Sequence, residues 1–132
     1  RRLYLAYNSI KNLKNLKNLK NLKDLDIAEN PGIDITHLGE MTQLKWISVT
    51  SSDLESIDEL ANLINLEFFY FATNKIQDIS VIENFVNLID IDFRDNCITD
   101  FTPAKNLKKK AKDPELNIYS FDEDDQDPDK CE

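Results

Sequence analysis

Glycine is almost absent from this chain of 132 residues, which contains only Gly32 and Gly39. Phosphate-cradling loops and dinucleotide-binding turns need closely spaced glycines that let the backbone approach phosphate, so both chemistries are excluded. His37 is the lone histidine, and the two cysteines, Cys97 and Cys131, stand far apart. That inventory builds no zinc site without carboxylates and no visible disulfide framework, so the cysteines say little about compartment. No apolar run approaches the roughly 18 residues a membrane span needs. The opening RRLYLAYN lacks the apolar stretch of a signal peptide. Neither His37 nor Cys97 has a plausible catalytic neighbour, and no nucleophile, base and orienting group can be named together. The reading is therefore non-catalytic, with no cofactor and no metal.

What is present is 41% hydrophobic and 31% charged, the composition of one soluble globular unit. The net charge of −9 hides a division. Residues 1–23 carry seven cations and no acid, whereas the rest carries 9 basic and 25 acidic residues, seven of the acids lying in 122–132. This polarity bears on encounter and solubility, not on fold. The acidic end is no EF-hand, because glycine at the sixth position and a closing glutamate at the twelfth are both out of register.

An internal repeat organises the chain. Asn8, Asn30, Ser52, Asn74 and Asn96 recur every 22 residues. Leu3, Leu25, Ile47, Phe69 and Ile91 stand five before them, and Leu5, Ile27, Val49, Phe71 and Phe93 three before. Leu22, Leu44, Leu66 and Leu88 form a third file, and Leu13, Ile35, Ile57, Ile79 and Phe101 a fourth. Alternation ahead of each Asn predicts a short strand with one buried face. Beyond the Asn, apolar residues return every three positions, which suits a 3₁₀ or extended return leg better than an α-helix. The Asn tolerates a turn, and its amide can satisfy backbone groups where the strand ends. Stacked, Asn8, Asn30, Ser52, Asn74 and Asn96 should form a ladder with Ser52 as its weakest rung.

One such unit cannot bury its apolar edge, but five in a stack can. With this period, and with segments such as NKIQDISVIENFVNL (Asn74–Leu88) and NCITDFTPAKNL (Asn96–Leu107), residues 1–110 resemble the leucine-rich repeat proteins, and in repeat length the internalin class of bacterial surface and secreted proteins. Phosphatase-regulating repeat proteins of the eukaryotic cytoplasm share that length, so the compartment stays open. The resemblance implies an α/β leucine-rich repeat solenoid with short parallel strands on its concave face. It also implies a protein-binding module, or alternatively a regulatory scaffold that holds an enzyme such as a phosphatase. Departures from the pattern are Pro31-Gly32, which displaces the apolar residue to Ile33, Ser52 in place of Asn, and the small Ala104.

If the inward files are fixed, alternation fixes the outward ones. They are Arg2, Asp24, Trp46, Phe68 and Asp90; Tyr4, Asp26, Ser48, Tyr70 and Asp92; and Ala6, Ala28, Thr50, Ala72 and Arg94. Strand spacing of about 4.8 Å makes Trp46, Phe68 and Tyr70 one aromatic cluster flanked by aspartates. Such a patch is expected to bind a protein partner, with the acids favouring Lys or Arg on it, although cross-strand packing alone also explains exposed rings. The candidate contact residues are Trp46, Phe68, Tyr70, Tyr4, Asp24, Asp26, Ser48, Asp90, Asp92 and Arg94. The Lys-Asn-Leu run of 11–22 could suggest anion binding, but its leucines fall on core positions and no aromatics interleave. Neither nucleic acid nor membrane insertion is expected.

The ends are less regular. The stack opens in mid-motif, which predicts further residues before Arg1 or a partner chain over Leu3 and Leu5. After Leu107 the period fails. Residues 111–121 are expected to cap the last repeat, with Glu115–Phe121 as a strand, and 122–132 to be an acidic disordered tail.

Overall fold

Three residues of alternating pattern suffice to turn one side chain inward and two outward, and each coil uses that minimum. The computed structural model describes residues 1–119 and 125–131. Its strands are β1 (Arg2–Tyr4), β2 (Asp24–Asp26), β3 (Trp46–Ser48), β4 (Phe68–Tyr70), β5 (Asp90–Asp92) and β6 (Asn117–Tyr119), one parallel sheet in chain order. Leu3 pairs with Leu25, Leu25 with Ile47, Ile47 with Phe69 and Phe69 with Ile91, so four pairings keep the 22-residue offset. The fifth, Ile91 with Ile118, does not. This is the leucine-rich repeat solenoid.

The inward files form one continuous core. Leu25, Ile47, Phe69 and Ile91 are fully buried, as are Ile27, Val49, Phe71 and Phe93, while Leu3 and Leu5 pack on its edge. Leu19, in the same file as the buried Met41, Leu63 and Phe85, is exposed in the first coil. The phenylalanines of adjacent coils stack, Phe71 and Phe93 with centroids 5.9 Å apart.

Three residues after each of β1 to β5 the chain passes through a left-handed residue, the one before the ladder position rather than the ladder residue itself. Tyr7, Glu29, Ser51, Thr73 and Asp95 have φ of 59, 55, 54, 56 and 55°. None is glycine, so each coil holds a strained conformation that L-residues rarely adopt. The Asn that follows compensates. Asn74 Nδ2 donates to the carbonyls of Phe71 (2.9 Å) and Ala72 (3.2 Å) in its own coil and Val49 (3.0 Å) in the coil before. Its Oδ1 accepts from the Ser52 and Leu54 amides, both at 3.0 Å. Asn30 and Asn96 donate alike, and each Oδ1 accepts from one amide of the coil before, that of Ile10 and of Ile76. Asn8 is exposed and, among the described residues, bonds only its own coil, at the Leu5 and Ala6 carbonyls. Ser52 is the short rung, its hydroxyl donating to the Thr50 carbonyl. Here the two departures meet, because Gly32 donates its amide to the Ser52 backbone carbonyl instead of to a side chain.

A second amide file escaped the sequence reading although it keeps the same period. Gln43, Asn65 and Asn87 donate to the carbonyls of Leu19 (3.2 Å), Thr42 (2.9 Å) and Ile64 (2.7 Å), tying each return leg to the one before.

The return legs are 3₁₀ at Thr36–Glu40, Asp58–Leu60 and Ser80–Asn84. The last, α1 (Thr102–Lys110), is an α-helix, unlike the 3₁₀ or extended leg expected for every coil. Pro103 is suited to a first helical turn, and Lys108, Lys109 and Lys110 oppose the dipole in the last. Ala104, fully buried, is small enough for a helix that packs on Ser80–Asn84.

A short polar side chain opens each leg. Asp34 Oδ1 accepts from the Thr36 hydroxyl (2.6 Å) and amide (2.9 Å), Asp78 from Ser80 (2.5 and 2.7 Å), and Asp100 from the Thr102 amide (2.9 Å). The hydroxyl bonds first, and the amide bonds second, hold all three carboxyls below their ordinary value. A depressed folded-state pKa gives stability that is present above the unfolded value, about 4, and lost as pH falls through the folded value. We expect the urea midpoint to fall on acidification below that point. The slope should flatten in an Asp34→Asn/Asp78→Asn/Asp100→Asn variant, which keeps an acceptor but no charge; equal slopes would contradict the assignment.

At the far end β6 lies beside β5, with Leu116 buried and Ile118 half-buried. Residues 120 and 121 of the expected cap lie outside the described residues, as do 122–124 and 132 of the expected tail. Against the expectation of a disordered tail, Asp125–Cys131 returns to the last repeat, with a 3₁₀ turn at Pro128–Cys131 and a Cys97–Cys131 disulfide. Charge density predicts disorder for a free segment, and this one is covalently tied.

Candidate protein-binding surface

Because each strand offers two outward side chains in register with the next, the outer side of the sheet is a grid of files. Trp46 opposes Phe68, Phe68 opposes Asp90, Tyr70 opposes Asp92 and Asp92 opposes Tyr119. The Trp46 and Tyr70 rings meet edge to face, with centroids 5.7 Å apart. Trp46, Phe68 and Tyr70 are each half-buried, so one side of the cluster rests on neighbours and the other faces solvent. Tyr4 is remote from it and 63% exposed. Ser48, expected among the contact residues, is only 9% exposed and offers a partner little surface. Its side chain is short and stands beside the large Tyr70 of the next strand.

The acids differ in what already holds them. Asp24 accepts from Arg2 Nε at 2.8 Å. Asp92 forms a two-point pair with Arg94 (3.0 and 2.7 Å), and the Arg94 guanidinium lies over the Tyr119 ring, 5.1 Å from its centroid. Asp26 accepts from the Ala28 amide at 3.1 Å. Asp90 is different: its Oδ1 is buried and has no hydrogen-bond partner among the described residues. Burial first, and the neighbouring Asp92 second, raise its pKa, with a bond to Asn117 opposing them. Burial, followed by Asp90, Tyr119 and Asp92, also raises the Tyr70 phenol. The cluster is thus an aromatic pair and a phenylalanine beside a carboxylate short of partners.

Tyr119 and Asn117 belong to this surface and were missed as contact candidates. They arrive out of period, and the only signal for them was the alternation that marks β6.

A family model described as two copies of the leucine-rich repeat matches residues 1–40. Internalin C2 of Listeria monocytogenes superposes with a TM-score of 0.78 at 31% identity, over 82% of this chain and 48% of that one. The chain is a leucine-rich repeat protein of internalin-like type. A second Listeria internalin, InlF, gives 0.69 at 21% identity over 92% of this chain and 41% of its own. A leucine-rich repeat protein of Leptospira interrogans gives 0.72 at 23% over 89% and 30%. These last two likenesses concern the fold alone. No curated protein matches. This internalin-like chain spans less than half the length of each of these three structures. Leucine-rich repeat domains are generally non-catalytic modules for protein–protein interaction. Among the described residues no helix of this repeat protein is long and apolar enough to cross a membrane, and no group of three or more His, Cys, Asp or Glu is placed to hold a metal.

Proposed function

We propose that this repeat protein binds a protein partner on the concave face of its sheet, with Trp46, Phe68 and Tyr70 as anchors and Asp90 selecting a basic side chain on the partner. The observation that carries this reading is the Asp90 oxygen, buried without a hydrogen-bond partner beside the Trp46–Tyr70 pair while Asp24 and Asp92 already hold arginines. A buried carboxylate oxygen left unbonded is costly to the free protein. A lysine or arginine from a partner would satisfy it and could lie against an aromatic face at once. Trp and Tyr supply large rigid contact area, and a preformed sheet loses little conformational freedom on binding.

Selection of a displayed peptide library against the chain tests this. Enriched peptides are expected to carry Lys or Arg next to an apolar residue. Binding should weaken by roughly thirty-fold or more on Trp46→Ala, the loss typical of a hot-spot residue. Asp90→Asn should weaken binding while leaving the fold intact, and should slightly raise stability at neutral pH, because it removes a charge whose ionised form burial disfavours. Lys14→Ala, on the far side, should change nothing. Peptides that bind the Trp46→Ala/Phe68→Ala variant as tightly as the parent would place recognition elsewhere.

A further inference from the structure

Three coils, the first, third and fourth, expose the same two backbone groups to the coil that follows, and the next asparagine takes both; after the second coil Ser52 stands in its place and takes neither with its side chain. Asn30 bonds the Leu5 carbonyl and the Ile10 amide, each at 3.0 Å. Asn74 bonds the Val49 carbonyl and the Leu54 amide, each at 3.0 Å. Asn96 bonds the Phe71 carbonyl (3.1 Å) and the Ile76 amide (3.0 Å). In the fifth coil the equivalent groups are the Phe93 carbonyl and the Ile98 amide. The residue one period beyond Asn96 is Ile118, which lies in β6 and has no amide side chain. Gln126 takes both groups instead, Nε2 donating to the Phe93 carbonyl at 3.1 Å and Oε1 accepting from the Ile98 amide at 3.2 Å.

The backbone of this segment copies a coil as well. Ser51 donates its amide to the Ala72 carbonyl (3.1 Å) and Thr73 to the Arg94 carbonyl (2.9 Å); Asp95, the next in that file, donates to the Asp125 carbonyl (2.6 Å). Asp127 returns its amide to the Asn96 carbonyl (2.7 Å). Residues 125–127 therefore imitate a sixth rung, arriving from outside the period. Several ties hold them there, among them Lys130 Nζ, which bonds both the Asp95 carbonyl and Asp95 Oδ1 (2.7 Å), a bond from Gln77 Nε2 to the Cys131 carbonyl (3.5 Å) and the Cys97–Cys131 disulfide. Exposed ion pairs contribute little. The covalent tie keeps the carboxamide at high effective concentration over its two partners.

We propose that the end of the stack is a carboxamide-reading edge, filled in cis by Gln126 and latched by the Cys97–Cys131 disulfide. Cys97 is buried, but Cys131 is half-buried and lines a polar cleft of about 350 Å³ with Glu55, Lys75, Gln77 and Lys130. A dithiol reductant enters there. One of its thiolates attacks the Cys131 sulfur and Cys97 leaves as the thiolate. The second reductant thiol then displaces Cys131. Two electrons and two protons are transferred, leaving two protein thiols and a reductant disulfide, and the segment is free to leave the edge.

Amide hydrogen exchange on the full chain, oxidised and after treatment with dithiothreitol, tests the latch. On reduction, and in Cys131→Ser, the Ile98 and Asp95 amides are expected to exchange about tenfold faster or more, with the Ile76 and Leu54 amides of the inner rungs unchanged. In oxidised Gln126→Ala, only Ile98 should lose protection, since Asp95 is held by backbone. Ile98 protection that survives both reduction and Gln126→Ala overturns the proposal. So does equal loss at Ile76, which would make the disulfide a staple of the whole fold rather than a local latch.

Discussion

Replacing Asn74 with alanine is expected to lower the unfolding free energy by about 3–5 kcal/mol, a large share of the roughly 5–15 kcal/mol that holds an ordinary domain together. The side chain is 2% exposed and makes five hydrogen bonds, none of which water can replace. Alanine would strand the Ser52 and Leu54 amides and the Val49 and Phe71 carbonyls in a closed interior. Each stranded group costs about 1–3 kcal/mol, and partial relaxation keeps the total below their sum. It would also release Thr73, a β-branched residue held left-handed at φ 56° just ahead of the amide. Asn8→Ala is the matched control, because Asn8 is exposed and the two carbonyls it bonds can turn to water. Its cost should stay within about 1 kcal/mol. Urea unfolding of the two variants checks the contrast, and similar midpoints would mean the ladder is not a structural element.

The second large effect concerns space. Gly39 lies in the 3₁₀ segment of the second coil, where a Cβ would collide with the Glu59 carbonyl oxygen of the third. That oxygen belongs to backbone and cannot swing aside as a flexible side chain does. Leu38 and Leu60, on the two segments concerned, are both fully buried, so neither segment can retreat without opening the core. Gly39→Ala is expected to cost about 2–3 kcal/mol even after the smaller entropy of the unfolded alanine chain is counted. The melting temperature should drop by roughly 6–15 °C, taking a few degrees per kcal/mol. Gly32→Ala is the comparison: a Cβ there meets only Lys11 Nζ at 3.8 Å, and the penalty comes from its φ of +75° alone. A Gly39→Ala melt equal to the parent's would show that the two return legs slide apart freely.

Much of this was legible because burial repeats. Leu25, Ile47, Phe69 and Ile91 announce their shared environment through a fixed interval, and a spacing of three in Ile57, Leu60 and Leu63 announces a 3₁₀ leg. The left-handed position was not legible, since Tyr7, Glu29, Ser51, Thr73 and Asp95 share no chemistry. There the geometry comes from the stack and overrides residue preference. The return-side amides at 43, 65 and 87 were readable in principle, for they keep the period. On the sheet, alternation located Trp46 beside Tyr70 but could not tell Asp90 from Asp92. That difference depends on Arg94, two residues past the end of β5, reaching back to Asp92 and not to Asp90. Gln126 and the cysteine pairing were beyond reach, because contacts across 28 or more residues outside the repeat leave no local pattern.

The constant register of β1 to β5 has a consequence for how such a chain changes over generations. Because each strand meets its neighbour through the same offset, duplicating or deleting one whole coil in the interior restores every file, every rung and every turn without inventing a new junction. The outward face can thus lengthen in single steps while α1, β6 and the tied segment 125–131 travel together with the fifth coil. Ancestry can therefore alter the extent of this surface more cheaply than its composition.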